Sequence, residues 1–238
     1  MPFIGTIAST YAYGKPNVPA AAPASLGGSL RFTAATTSGI SIPNNVDFRL
    51  GTGDFTIEWF QYQLTGSGTN QRIFSMGSYP STTIGISQEG SDTSRTFYAW
   101  MPGANNIATS LNLANAWIHF AVCRSGTSLR VFRNGTQIGT TLTNSTNFND
   151  TTNVFEIGNE SSPSATAAFN GYITNFHWVK GTALYTASFS RPTAPITPVA
   201  NTKLLLNATT SGTAFTDSSG TGKVSTPTGV AWNALTPF

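Results

Sequence analysis

The chain has 238 residues, only 9% of them charged, and twelve Lys and Arg against nine Asp and Glu give a net charge of +3. Ordinary soluble domains carry about a quarter charged residues, and the cations here form no run, so the concentrated positive groove that nucleic acid requires is not expected. A single cysteine excludes an intrachain disulfide, no stretch is long and apolar enough for a spanning helix, and the amino terminus lacks the basic and apolar regions of a signal peptide.

Residues 1–25 read as an extended arm. Pro16, Pro19 and Pro23 lack ladder donors, which favours an extended chain. The segment also carries Phe3, Ile4, Ile7, Tyr11 and Tyr13, more apolar material than a solvated tail holds. It is either a first strand or frayed end, or an arm that docks Phe3, Ile4, Tyr11 and Tyr13 on a neighbouring subunit.

Residues 26–238 read as one domain of short strands. Leu30 and Phe32 share a face, as do Ile40 and Ile42. In DFTIEWFQY, Phe55, Ile57 and Trp59 alternate with Thr56 and Glu58, the period of a strand with one apolar face. Short strands are expected around Ile73, over Ile84–Ile86 and over Arg95–Met101. WIHFAVCRSGTSLRVFRNGTQIGT, residues 117–140, predicts a hairpin, because Asn134-Gly135 suits a type I′ turn with positive φ at both central residues. That turn pairs Arg133 with Thr136, Phe132 with Gln137 and Val131 with Ile138, and a one-residue slip would turn Val131 and Ile138 outward. Further strands are expected at Val154–Ile157, Tyr172–Val179 and Lys203–Leu206, with one helical turn at Thr182–Tyr185. Many short strands separated by turn residues predict an all-β fold, an antiparallel two-sheet β-sandwich, with Trp59, Trp117, Trp178 and several phenylalanines between the sheets.

Taken in order, these segments resemble the concanavalin A-like, laminin G-type jelly-roll family. SLRFTAATTSGISIPNNVDFRLGTGDFTIEWF is similar to the family's opening, the Trp117 hairpin to its Trp-x-His hairpin, and FNDTTNVFEIGNE with FNGYITNFHWVKGTALYTASFSRPTAP to its closing part. The resemblance spans roughly Gly27 to Asn207. It departs at Thr174 and Asn175, where the family often has an acidic residue, and in its scarcity of carboxylates. The ending GTALYTASFSRPTAP resembles the version common in proteins of bacteriophage and marine virus particles. The resemblance therefore implies a structural or adhesion protein of a virion, a capsid decoration or tail-fibre component, partnered by other virion proteins and by copies of itself.

Some relatives of this fold cleave polysaccharides, which needs two carboxyl groups about 5 to 10 Å apart. Glu58 and Glu156 each stand alone in a strand, expected to face solvent or to pair with an arginine, so no catalytic residue is assigned and the chain is not read as an enzyme. His119 and His177 lack the spacing of a metal set, and Asp47 with Asp54, or Asp150 with Asn149 and Asn153, make weak calcium candidates. No metal or cofactor is expected. His119 matches the family's hairpin histidine, which implies a packing or hydrogen-bonding role. Cys123 reads as a small core hydrophobe. The Asn-x-Ser/Thr matches at Asn134, Asn144, Asn149, Asn159 and Asn207 read as turn chemistry rather than glycan acceptors. Binding a surface glycan needs only an exposed ring and a few polar partners; Tyr98 and Trp100 on one strand, Tyr79 and Trp232 are the candidates. The competing reading places each ring in the core or under a loop.

Overall fold

A computed structural model describes residues 27–66, 68–78, 81–101, 104–160 and 167–238; the arm with Phe3, Ile4, Tyr11 and Tyr13, and also Tyr79, lie outside the described residues. In chain order the first strands are β1 (Ser29–Phe32), β2 (Gly39–Ile42), β3 (Phe55–Gln63), β4 (Asn70–Met76), β5 (Ile84–Ser91), β6 (Ser94–Met101) and β7 (Ala104–Leu111). There follow β8 (Trp117–Ser125), β9 (Ser128–Arg133), β10 (Thr136–Thr143), β11 (Phe155–Ile157), β12 (Gly171–Lys180), β13 (Thr202–Leu206), β14 (Thr226–Thr228) and β15 (Val230–Asn233). They build two antiparallel sheets. One has eight strands in the order β10-β9-β8-β3-β12-β1-β15, with β13 also on β12; the other has seven, in the order β14-β2-β11-β4-β5-β6-β7. This is the predicted two-sheet jelly roll.

Alternation along each strand decides what fills the space between the sheets. Phe55, Ile57 and Trp59 of β3 face inward and are fully buried. Trp59 stacks on Phe120 of its own sheet at 5.6 Å and on Phe97 of the opposite sheet at 6.4 Å. Trp178 meets Phe74 and Phe155 edge-on at 5.8 and 5.2 Å. Trp117 is a correction to the predicted core. Ile118 and Phe120 point inward, so Trp117, one residue out of phase, faces outward and meets Tyr62 edge-on at 5.7 Å.

Two buried arginines close the interior at opposite ends of β3. Arg124 donates to the carbonyls of Gly51, Gly53 and Thr146 and lies over the Phe55 and Phe148 rings. At the far end Arg95 donates to Gly68, Thr69 and Gln88 carbonyls and to Asp92. Each charge is matched by several acceptors, the condition under which a buried ion is tolerated.

The hairpin has its expected register: Thr136 pairs with Arg133, Gln137 with Phe132 and Ile138 with Val131. Asn134 has φ of 49° and Gly135 of 82°, as a type I′ turn demands. The predicted helical turn at Thr182–Tyr185 is absent, and the one short helix among the described residues is a 3₁₀ turn at Val46–Phe48. The reason is local. Thr56 of β3 donates its hydroxyl to the Thr182 carbonyl and accepts the Leu184 N–H, so these backbone groups bond to the sheet instead of to each other. Three strands went unanticipated: β7, whose sequence ANNIATSL is largely polar, and β14 and β15, of three and four residues. β15 extends β1 and β14 extends β2, with Pro227 on an edge strand, where a missing donor is harmless.

Candidate functional site

The outward positions of the two sheets are chemically different. On the eight-stranded sheet Glu58 of β3 points outward, yet it is 1% exposed. This overturns the expectation that it faces solvent or pairs with an arginine: the neighbouring strands and the segment 181–201, which runs across the sheet, bury it. His119 of β8 places Nε2 3.0 Å from Glu58 Oε2, and His177 of β12 places Nδ1 2.7 Å from Oε1. Register brings them together, since Glu58 pairs with Ala121 on one side and His177 on the other. Tyr185, from the crossing segment, donates its hydroxyl to Oε2 at 2.9 Å.

These contacts form a consistent donor chain. His177 Nδ1–H donates to Glu58, its Nε2 accepts from the Thr202 hydroxyl at 2.8 Å, and Thr202 Oγ1 accepts the Val199 N–H; the tautomers follow from this network. Burial pushes the Glu58 carboxyl up, but the hydrogen bonds from His119 and His177 outweigh it and hold the pKa at about 2. Burial and Glu58 together push the Tyr185 hydroxyl up, so it remains a donor. Cys123 lies nearby on β8, packed with Ala121 and Phe132 beneath Tyr185 and Phe189, and burial raises its thiol to about 12. A thiol so placed is inert. The cluster is sealed, and its chemistry is that of an anchor.

The outward face of the seven-stranded sheet is built differently. Thr226, Ser41, Glu156, Ser75, Gly85 and Trp100 lie in one row across β14, β2, β11, β4, β5 and β6. At one end is a groove of about 250 Å³ lined by Thr37, Gly39, Ser41, Glu156, Asn159, Thr226 and Thr228. Glu156 is 8% exposed, which corrects the expectation of a solvent-facing side chain. Its pKa is raised by burial, opposed only by a hydrogen bond with Ser41. Asn159 donates to the Thr36 and Ser38 carbonyls and so fixes the groove wall.

At the other end of the row Tyr98 and Trp100 stack at 5.7 Å and are half-buried. The Arg72 guanidinium lies 5.0 Å over the Trp100 ring, whose N–H donates to Ser87 at 2.6 Å. Ser75 and Gly85, between the two ends, are covered: Ser75 donates to the Asn159 carbonyl, and Thr82 stands over Gly85. Trp232 lies elsewhere, on β15, where its indole donates to the Ala208 carbonyl at 2.9 Å and packs against the core. Sequence reasoning missed the groove's hydroxyls. Their only signal was parity, Ser41 between Ile40 and Ile42 and Glu156 between Phe155 and Ile157.

The calcium candidates are satisfied internally. Asp150 accepts from Thr152, Asn153 and Thr83, Asp47 pairs with Lys223, and Asp54 accepts the Gly126 N–H.

Among solved structures, the chain is similar to a putative carbohydrate binding protein from Bacteroides ovatus, with a TM-score of 0.65 and 15% identity over 88% of this chain and 60% of that one. It is similar to the heptameric SAP-like pentraxin of Limulus polyphemus, with a TM-score of 0.52 and 15% identity over 67% and 78%. The extracellular region of zebrafish Gpr126 matches with a TM-score of 0.52 and 11% identity over 85% of this chain and 26% of that one. At such identities these likenesses concern the fold, and the chain spans less than two thirds of the Bacteroides protein and about a quarter of the zebrafish one. A search of curated proteins finds no sequence match. The sequence profile of the concanavalin A-like lectin/glucanases superfamily matches residues 34–185, more than half of the chain. The protein belongs to the concanavalin A-like lectin/glucanases superfamily.

Proposed function

We propose that this chain is a non-catalytic recognition module that binds carbohydrate on the outward face of its seven-stranded sheet. The observation that carries this reading is the groove over β14, β2 and β11. With the Asn159 amide spent on holding the wall, hydroxyls from Thr37, Ser41, Thr226 and Thr228 and one carboxyl line it, a polar set matched to the hydroxyls of a sugar. Its volume falls below the several hundred cubic ångströms of pockets that engulf drug-sized ligands, so it takes a terminal sugar unit. Trp100 and Tyr98, on the same face, offer ring surface to a longer chain. Glu156 is the one carboxyl among the described lining residues, whereas glycoside cleavage works through two. The carbohydrate-binding description of the Bacteroides relative agrees with this reading.

The finer reading, an adhesion or decoration protein of a virus particle, draws its support from the GTALYTASFSRPTAP ending and its resemblance to particle proteins. The two are compatible, since particles adhere to host glycans.

A glycan-array screen at high protein concentration, followed by titration calorimetry of the best ligand, tests the binding proposal. Glu156→Gln is expected to change affinity at least tenfold, and Trp100→Ala to weaken only the longer ligands. A uniformly blank array, or affinity indifferent to both substitutions, overturns it.

A further inference from the structure

Residues 181–201 cross the outer face of the eight-stranded sheet with no strand pairing of their own. Their hydrogen bonds to the rest of the chain are scattered rather than laddered; Thr56 makes two, to the Thr182 carbonyl and the Leu184 N–H, and the Ile196 carbonyl accepts from Asn207. Gly181 donates to the Asp54 carbonyl and Leu184 to Thr56 Oγ1, Phe189 donates to Gly135 and Ile196 to Asn175 Oδ1. The side chains that pin the middle are Tyr185 and Phe189, stacked on each other over Phe132, and Arg191, whose guanidinium lies 5.2 Å over Phe60. Beneath them is an apolar cluster of Ala121, Cys123 and Phe132, separate from the main core. Segments held by few buried contacts and few ladder bonds open locally at a fraction of the global unfolding cost.

We propose that residues 181–201 form a strap that opens as a unit while the sandwich stays folded, with the ionised Glu58 as its latch. Glu58 holds the strap directly through Tyr185. It also does so at one remove, since His177 takes up the Thr202 hydroxyl that accepts the Val199 N–H. The titratable and charged groups within and beneath the strap are His119 and Cys123 of β8, Arg130 of β9, His177 of β12, and Tyr185 and Arg191 of the strap. Tyr62 of β3, Tyr172 of β12 and Arg31 of β1 lie farther along the same face, in contact with one another. His119 Nδ1 is buried without a partner among the described residues, so a proton placed there meets no acceptor. Opening uncovers Phe132 and the only thiol of the chain, which makes Cys123 a reporter of the strap.

The latch has a defined acid limit. The Glu58 pKa is depressed from 4.5 to about 2 on folding, so its contribution is complete above the unfolded value and is lost as pH falls from about 4.5 towards about 2. The strap therefore loosens on the acid side.

The test is the rate at which Cys123 of the full chain reacts with dithiodipyridine, a thiol reagent that works in acid, followed in low denaturant. Tyr185→Phe removes one donor to a charged acceptor and is expected to speed labelling about tenfold to a hundredfold at neutral pH. Glu58→Gln is expected to speed it further and to flatten its rise in acid. Both accelerations should have a denaturant dependence well below that of global unfolding. Tyr185→Phe labelling at the wild-type rate overturns the proposal, even if Glu58→Gln fails to fold. So does labelling whose denaturant dependence equals that of global unfolding.

Discussion

Glu58 and Glu156 hold matching places on the two sheets. Each sits in a strand of alternating apolar residues, each points away from the shared core, and each is almost entirely buried. Their protons nevertheless behave oppositely. Glu58 receives three donors from three different parts of the chain and stays ionised far below the usual carboxylate range. Glu156 has one serine hydroxyl to oppose its desolvation, and burial pushes it up. Burial alone does not decide the charge of a carboxyl; the number of donors aimed at it does. The face with the saturated carboxylate is closed by a strap, and the face with the undersupplied one is an open groove.

The widest gap between the two should appear on amide substitution. Glu58→Gln puts an amide N–H₂ among three donors and removes the charge, leaving buried polar groups unsatisfied. The expected cost at pH 7 is about 2–4 kcal/mol, read as a fall in Tm of roughly 5–15 °C for a domain of this size. A Tm within 2 °C of wild type, roughly the shift of a single kcal/mol at this size, would remove Glu58 from the strap's anchorage.

Smaller in effect is a change at the hairpin that receives the strap. Gly135 has φ of +82°, and a Cβ there would collide with the Phe189 carbonyl. Gly135→Ala therefore combines left-handed backbone strain, about 1–2 kcal/mol, with displacement of Phe189. Hydrogen exchange should quicken in residues 181–201 more than in β3 or β12. Uniform quickening across the sheet would argue that strap and sandwich move as one.

An acid titration separates the carboxyls by sign. Stability is expected to fall as pH drops from about 4.5 towards about 2 in wild type, because the folded state releases the Glu58 proton more readily than the unfolded chain. The slope should be shallower in Glu58→Gln. For Glu156, whose folded pKa is raised, the sign reverses: its burial costs stability above the unfolded value, and that cost disappears as the pH falls. Chemical denaturation at several pH values checks both.

The smallest effect belongs to Glu156→Gln. It replaces a carboxyl whose charged form burial disfavours and is expected to leave stability unchanged or raise it by about 1 kcal/mol or less. A destabilisation comparable with that of Glu58→Gln would mean that the groove carboxyl is structural, and the contrast between the faces would fail.

Much of the fold was legible residue by residue. Val131 and Ile138 had one register in which both were buried, and the Asn134-Gly135 turn allowed that register. Phe55, Ile57 and Trp59 could share only one face of a strand. Where the reading went astray, local pattern met a competing local partner or a parity one residue off. Thr56 captured the backbone of Thr182 and Leu184, and Trp117 stood out of phase with Ile118 and Phe120. β14 and β15 were too short to show a period at all.

By itself, then, the sequence determined the layers: alternation at period two and turn residues of restricted φ act over a few neighbouring positions, so their outcome can be read from neighbours. Only the tertiary structure decided the sites. Glu58 meets residues 61, 119 and 127 positions away, and the groove joins side chains from β2, β11 and β14. Whether an outward glutamate is solvated, latched or left short of donors depends on which distant segment is folded over it, and strand alternation carries no record of that.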